Sequence, residues 1–171
     1  QQALSACDKP VIAHIQGVCM GGGMGLALAC DLRYCADDAR FRMPAARLGL
    51  GYDLDGVQRM KDVLGAARTA DLFFTARIFD GREAARIGLA HQSFAADALR
   101  GEVRRVAGEI ALNAPLTLKA AKLSLRHLLG DPAVRDAGVV NAAVQACFDS
   151  SDYREGRAAF AEKRPPRFRG V

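Results

Sequence analysis

The run Gly17-Val18-Cys19-Met20-Gly21-Gly22-Gly23 constrains this chain more than any other segment. Before it, Val11 to Ile15 is a short apolar, partly β-branched stretch, which reads as a buried strand. After it, Met24 to Cys30 is small and apolar all round, the composition of a buried helix that its neighbours approach closely. Strand, glycine turn and buried helix make half a βαβ unit, so the chain must supply or borrow a sheet of parallel strands covered on both faces. A helix that opens on glycines also presents free backbone N–H groups and the positive end of its dipole, which suits a phosphate or a developing oxyanion. The pattern is neither a dinucleotide fingerprint, since its glycines are contiguous, nor a P-loop, since no Gly-Lys-Ser/Thr follows. Tight packing of helix on sheet explains the same glycines, and spacing alone leaves both readings open.

Around this unit the chain reads as follows. Residues 3 to 8 end a helix at Pro10; Leu32 to Ala36 and Arg40 to Met43 are strands joined by Asp37-Asp38; 45 to 55 is a loop. From Gly56 a helical period carries Val57, Met60, Leu64, Ala67, Ala70, Phe73 and Phe74. Asp80-Gly81-Arg82-Glu83 has capping-box spacing and opens a short helix closed by Gly88, before an edge strand over Leu89 to Phe94. Asp97 to Leu112, Pro115 to Leu129, Asp131 to Asp149 and Asp152 to Glu162 read as four helices. Strands first and helices second predict an α/β core over 1–94 and an all-helical region with a basic tail over 95–171. Two or three strands are too few to cover the helix at 24 to 30, so partner strands are expected from elsewhere.

Composition narrows the function classes. The 171 residues, half of them hydrophobic and a quarter charged, suit a soluble globular domain, expected in the cytoplasm because neither a signal peptide nor a membrane-length apolar run is present. Five scattered cysteines without C-x-x-C spacing argue against disulfides and a metal site. The net charge of +5 gathers only in the tail from Lys163 to Arg169, and 6% aromatics without tryptophan make a nucleic-acid surface an unpromising reading. A small anionic ligand such as a phosphorylated cofactor stays open.

Lys9-Pro10-Val11-Ile12-Ala13, Gly17, Gly21-Gly22-Gly23, Cys30-Asp31-Leu32-Arg33 and Phe41 together resemble the central signature of the crotonase superfamily, the enoyl-CoA hydratases and isomerases. Leu48-Gly49-Leu50, Gln58-Arg59, Phe74-Thr75-Ala76, Ala84-Ala85 with Ile87-Gly88-Leu89, Asn113-Ala114-Pro115, Asp152 with Glu155-Gly156, Ala159-Phe160 and Glu162-Lys163-Arg164 follow at the family's spacing, so the resemblance covers the entire chain. It implies a crotonase-like spiral of ββα units followed by a helical trimerisation region, assembled as a homotrimer or dimer of trimers. It also implies an acyl-CoA thioester substrate whose carbonyl lies between two backbone N–H donors that stabilise an enolate. Coenzyme A would enter as part of that substrate, with no permanently bound cofactor. One donor maps to Gly22. The other lies, in related hydratases, in a segment ahead of the strand at 11 to 15, and the chain looks like the C-terminal two thirds of such an enzyme.

The acid and base positions depart from the family. Where related hydratases carry two glutamates, this sequence has Gly25 and Ala45, neither able to move a proton. Asp53 matches a catalytic aspartate of dienoyl-CoA isomerases, and Tyr52 a tyrosine in the active site of the family's methylmalonyl-CoA decarboxylase. Asp53 and the neighbouring Asp55 are also explained as caps of the helix that opens near Gly56. Phe160 and Lys163 match a pair that holds the adenine and phosphates of coenzyme A bound to a neighbouring subunit; a solvated helix end explains them as well. His14 is expected in the core or wall, His91 and His127 to be structural, and Cys19 is a remote candidate nucleophile. The reading is an enoyl-CoA hydratase/isomerase-type enzyme. The alternatives are a decarboxylase or hydrolase of the same family, or a catalytically silent acyl-CoA-binding paralogue.

Overall fold

The computed structural model describes residues 2–171. Two compact units are formed, one by Val11–Arg105 with the segment before Asp8, the other by Asp8–Pro10 with Val106–Val171. The division falls inside a helix, beyond the boundary at 94 and 95 drawn from the onset of the helical block.

In the first unit, α1 (Gln2–Ala6) precedes two successive strand pairs, each followed by a helix. The first is β1 (Ile12–Ile15), β2 (Val18–Met20) and α2 (Gly22–Leu28); the second is β3 (Leu32–Ala36), β4 (Arg40–Arg42) and α3 (Ala45–Leu48). The opening strands pair in parallel, Ile12 beside Leu32 through Ile15 beside Cys35, and the closing strands pair in parallel in a second sheet, Val18 beside Arg40 through Met20 beside Arg42. Gly17 makes the corner between β1 and β2 at φ 74°, a left-handed backbone that glycine adopts without strain, and its carbonyl accepts the Arg40 N–H at 2.7 Å. α4 (Leu54–Thr75) and α5 (Gly81–Arg86) lead to β5 (Gln92–Phe94), which pairs in parallel with β3 to give the order β1-β3-β5.

Two expectations are corrected here. Val18–Met20 is a strand rather than part of the glycine turn; three residues, with Val18 exposed and Cys19 buried, are too short to display a strand's alternation. Arg40–Arg42 is a strand, as expected, and it pairs with β2 in the second sheet. Within the span read as a loop, Ala45–Leu48 is a helical turn, ended by Gly49 in the left-handed conformation at φ 63°.

The core of this unit is built on Phe41, Met24, Met43, Met60, Leu72, Leu99 and Cys35, all almost completely buried. Phe41 and Phe79 stack with centroids 5.5 Å apart and exchange both backbone hydrogen bonds. Gly81 lies so close to the Ala36 carbonyl that a Cβ would collide with it, which lets α5 pack down on β3. The buried Arg33 guanidinium donates to the carbonyls of Leu89 at 2.7 Å and Cys30 at 2.8 Å, tying β3 to the chain before β5. α4 is interrupted at Gly65, whose φ of 74° and ψ of 164° separate two helical rods.

The second unit contains α7 (Pro115–Leu129), α8 (Ala137–Asp149) and α9 (Ser151–Glu162), entered from α6 (Leu99–Ala111). The single helix expected over 131 to 149 is a 3-10 turn, Pro132–Val134, followed by α8; Asp131 and Asp136 each cap their own start, accepting from Ala133 and Gly138 N–H at 2.9 and 2.8 Å. α8 packs against both α7 and α9. Lys122 is buried, and its ammonium donates to the Lys9 carbonyl at 2.9 Å. Among the described residues no helix is long and apolar enough to cross a membrane.

Candidate active site

Parallel strands β2 and β4 end at the same edge, where the chain turns into helices. That edge is where open α/β sheets place their ligands. Gly21 fastens the turn by donating to the Arg42 carbonyl at 3.1 Å and takes φ 48°, with Pro44 in ordinary van der Waals reach of where its Cβ would stand. α2 then begins at Gly22 with no side-chain cap, and Gly22 and Gly23 are both exposed with open space around the missing Gly22 Cβ. Backbone N–H groups at a helix start have no intrahelical acceptor, so this first turn offers donors and a positive dipole end to whatever lies in front of it.

Ala45 opens α3 just after β4 and is buried, and Gly25 is buried one turn into α2. Neither position carries an acid. The next acidic residues after Ala45 lie in the loop into α4, a helix that packs against both α2 and α3. Asp53 caps α4, its Oδ1 accepting the Gly56 N–H at 2.7 Å, and Asp55 sits in the first turn. Capping is therefore an observed role of Asp53. Tyr52 lies edge-on to Phe73 at 5.3 Å and covers Gly56 so closely that a Cβ there would meet its ring. Burial, with Asp53 adding a smaller contribution, pushes the Tyr52 phenol above its ordinary range, so it is a neutral hydrogen-bond donor at physiological pH. Asp53, Asp55 and Arg59 line a concavity of about 480 Å³ with Gln2 and Ala3, and Arg59 donates to the Ser5 hydroxyl at 2.8 Å.

Other candidates fall away or change role. Cys19 is buried and its thiol is pushed up to about 11 by burial, so it supplies no thiolate and is no nucleophile. His14 is exposed on β1, contrary to a core or wall position. His91 is structural: its Nδ1 accepts the Arg33 N–H at 3.1 Å, and burial, followed by the Arg33 charge, lowers its pKa. In the second unit Phe160 is 88% exposed, and Lys163 caps α9 in a left-handed conformation at φ 54°. Sequence reasoning noted Arg59 with Gln58 only as part of the family's pattern and gave it no role; its partner Ser5, far away in sequence, becomes visible only in the fold.

The family model described as enoyl-CoA hydratase/isomerase matches residues 1–171. The chain belongs to that family. Among curated relatives it is 36% identical over 169 residues to a mitochondrial Delta(3,5)-Delta(2,4)-dienoyl-CoA isomerase of Dictyostelium discoideum, covering 97% of this chain and 57% of the relative. It is 33% identical over 165 residues to a crotonyl-CoA hydratase of Syntrophomonas wolfei, covering 96% of this chain and 64% of that one. The crystal structure of an enoyl-CoA hydratase from Bacillus anthracis superposes with a TM-score of 0.91 at 29% identity, over 99% of this chain and 66% of the other. The crotonase fold expected from the sequence is thus the fold observed. The chain spans between about half and two thirds of the length of the curated relatives it matches.

Proposed function

We propose that the protein is an acyl-CoA enzyme of the isomerase type, in which the Gly22 N–H holds the thioester oxygen of an enolate and Asp53 moves the proton. The observation that carries the reading is the pairing of an uncapped, exposed helix start at Gly22 with acid-free positions at Gly25 and Ala45. Hydration needs groups to activate water and protonate carbon, and those two positions supply none. Isomerisation needs one base. The Asp53 carboxylate takes a proton from an enoyl-CoA carbon, the electron pair passes to the thioester oxygen, and the same proton returns to another carbon as the double bond shifts. The Gly22 N–H stabilises the oxygen while it is charged, and the neutral Tyr52 phenol is a further donor to substrate. The similarity to a dienoyl-CoA isomerase agrees with this assignment. Phe160 and Lys163 hold the adenine and phosphates of the coenzyme A bound to a neighbouring subunit, which requires a homotrimer or dimer of trimers.

The full-length protein assayed on a 3,5-dienoyl-CoA and on crotonyl-CoA tests this. Isomerisation abolished by Asp53→Asn is the expected result. Efficient hydration of crotonyl-CoA that survives Asp53→Asn overturns it, as does tight acyl-CoA binding without turnover of either substrate.

A further inference from the structure

The C-terminal tail is fastened along α9 by carboxylates. Asp152, buried, accepts the Arg169 and Gly170 N–H groups, each at 2.7 Å, and the Ser151 N–H donates to the Val171 carbonyl at 2.7 Å. Glu155 accepts from both Arg164 terminal nitrogens, at 2.6 and 3.0 Å, and from the Arg167 N–H at 2.8 Å. The Arg164 Nε donates to Glu162 at 2.6 Å. One guanidinium therefore engages two glutamates of α9, Glu155 through both terminal nitrogens and Glu162 through Nε, a planar fork geometry that a lysine ammonium does not reproduce. These contacts hold the Glu155 carboxyl down at about 2, so its charge persists at every physiological pH. Between Glu162 and Arg164 stands Lys163, and among the described residues its ammonium has no hydrogen bond or ion pair.

We infer that Arg164 is the positioning residue of the phosphate site: by engaging Glu155 and Glu162 it keeps both carboxylates from pairing with Lys163, whose ammonium is left for an anionic ligand. The inference rests on the proposed role of Lys163 toward coenzyme A. Without Arg164, Glu162, next to Lys163 in the chain, and Glu155, which the Arg164 guanidinium reaches from this same turn, lose their ion-pair partner and compete with phosphate for the Lys163 charge. The ion pairs also hold the turn in which Lys163 adopts φ 54° and the Arg164 N–H returns to the Ala159 carbonyl at 3.0 Å.

The test measures the affinity of the full-length protein for coenzyme A and for pantetheine, which lacks the nucleotide and its phosphates, by isothermal titration. The readout is the ratio of the two. Arg164→Gln should lower the ratio by about fivefold, the upper range for an exposed ion pair. Adding Glu155→Gln and Glu162→Gln should restore it, because the competing charges are gone while the amide oxygen introduced by Glu155→Gln can still accept the Arg167 N–H. A merely structural Arg164 gives a loss that the two added changes do not restore, which overturns the inference. An unchanged ratio in Arg164→Gln overturns it too. Lys163→Gln separates the layers: if it lowers the ratio and Arg164→Gln does not, the lysine site stands and the inference falls, whereas no effect of Lys163→Gln removes the lysine site itself. If Arg164→Gln fails to fold, Arg164→Lys, which keeps a charge without the fork, is scored by the same criteria.

Discussion

Asp53 accepts the Gly56 N–H at 2.7 Å, so the acid proposed to move protons is also the residue that starts α4. The two roles separate by substitution. Asn is as good a cap as Asp, whereas Ala forfeits the cap at a cost of about 1 kcal/mol. Asp53→Asn is expected to melt with the parent and to lose isomerase turnover by about 10²-fold or more, while Asp53→Ala loses both turnover and stability. Thermal melts beside a dienoyl-CoA assay decide it, and an Asp53→Asn enzyme with parental kcat defeats the proposed base.

At Gly22 the group proposed to act is the backbone itself. Proline is accepted at the first position of a helix but has no N–H, while alanine keeps the donor and meets open space here. Gly22→Pro should cost about 10²- to 10³-fold in kcat with the helical circular-dichroism signal retained, and Gly22→Ala should stay close to the parent. Equal activity of the two variants removes Gly22 from the mechanism.

Cys19 and Cys35 are buried, with thiols pushed up to about 11 and about 12, mainly by burial. Iodoacetamide at pH 8 should leave both unmodified in the folded protein and alkylate them after denaturation. Peptide mapping by mass spectrometry gives the answer, and native labelling of Cys19 contradicts the buried placement of β2.

His91 gives a pH dependence whose sign can be worked out. Its folded pKa is lowered, so the folded state binds its proton less readily than the unfolded chain does. The neutral ring's Nδ1 accepts the Arg33 N–H; once protonated it no longer can. Its contribution is complete above the ordinary histidine value of about 6.5 and declines as pH falls below it through the folded pKa. A titration of the His91 ring by NMR should show a midpoint below that value. Replacement by Asn, whose amide does not titrate, should flatten this part of the stability profile.

The segments that could be read from sequence were those with a local cause. Asp80 announces α5 because a capping carboxylate must precede its helix, and Pro115 opens α7 for the same kind of reason. The glycine triplet pointed to the helix start that the structure places at Gly22. The partition of strands into two sheets was not legible, because β4 chooses β2 over β3 through packing of Phe41 against Phe79 and through the bond from Arg40 to the Gly17 corner, contacts between residues far apart in the chain. His14 misled because alternation with apolar neighbours indicates which residues share a face and not whether anything covers that face. The observed cap and the proposed base at Asp53 look identical in sequence, since both require the same carboxylate.

The order β1-β3-β5 leaves β1 with a partner on one side only among the described residues. Main-chain groups along such an edge recruit any extended segment that comes within reach. Produced alone at high concentration, this chain is therefore expected to self-associate, and a segment laid alongside Ile12–Ile15 is the remedy that would keep it dispersed.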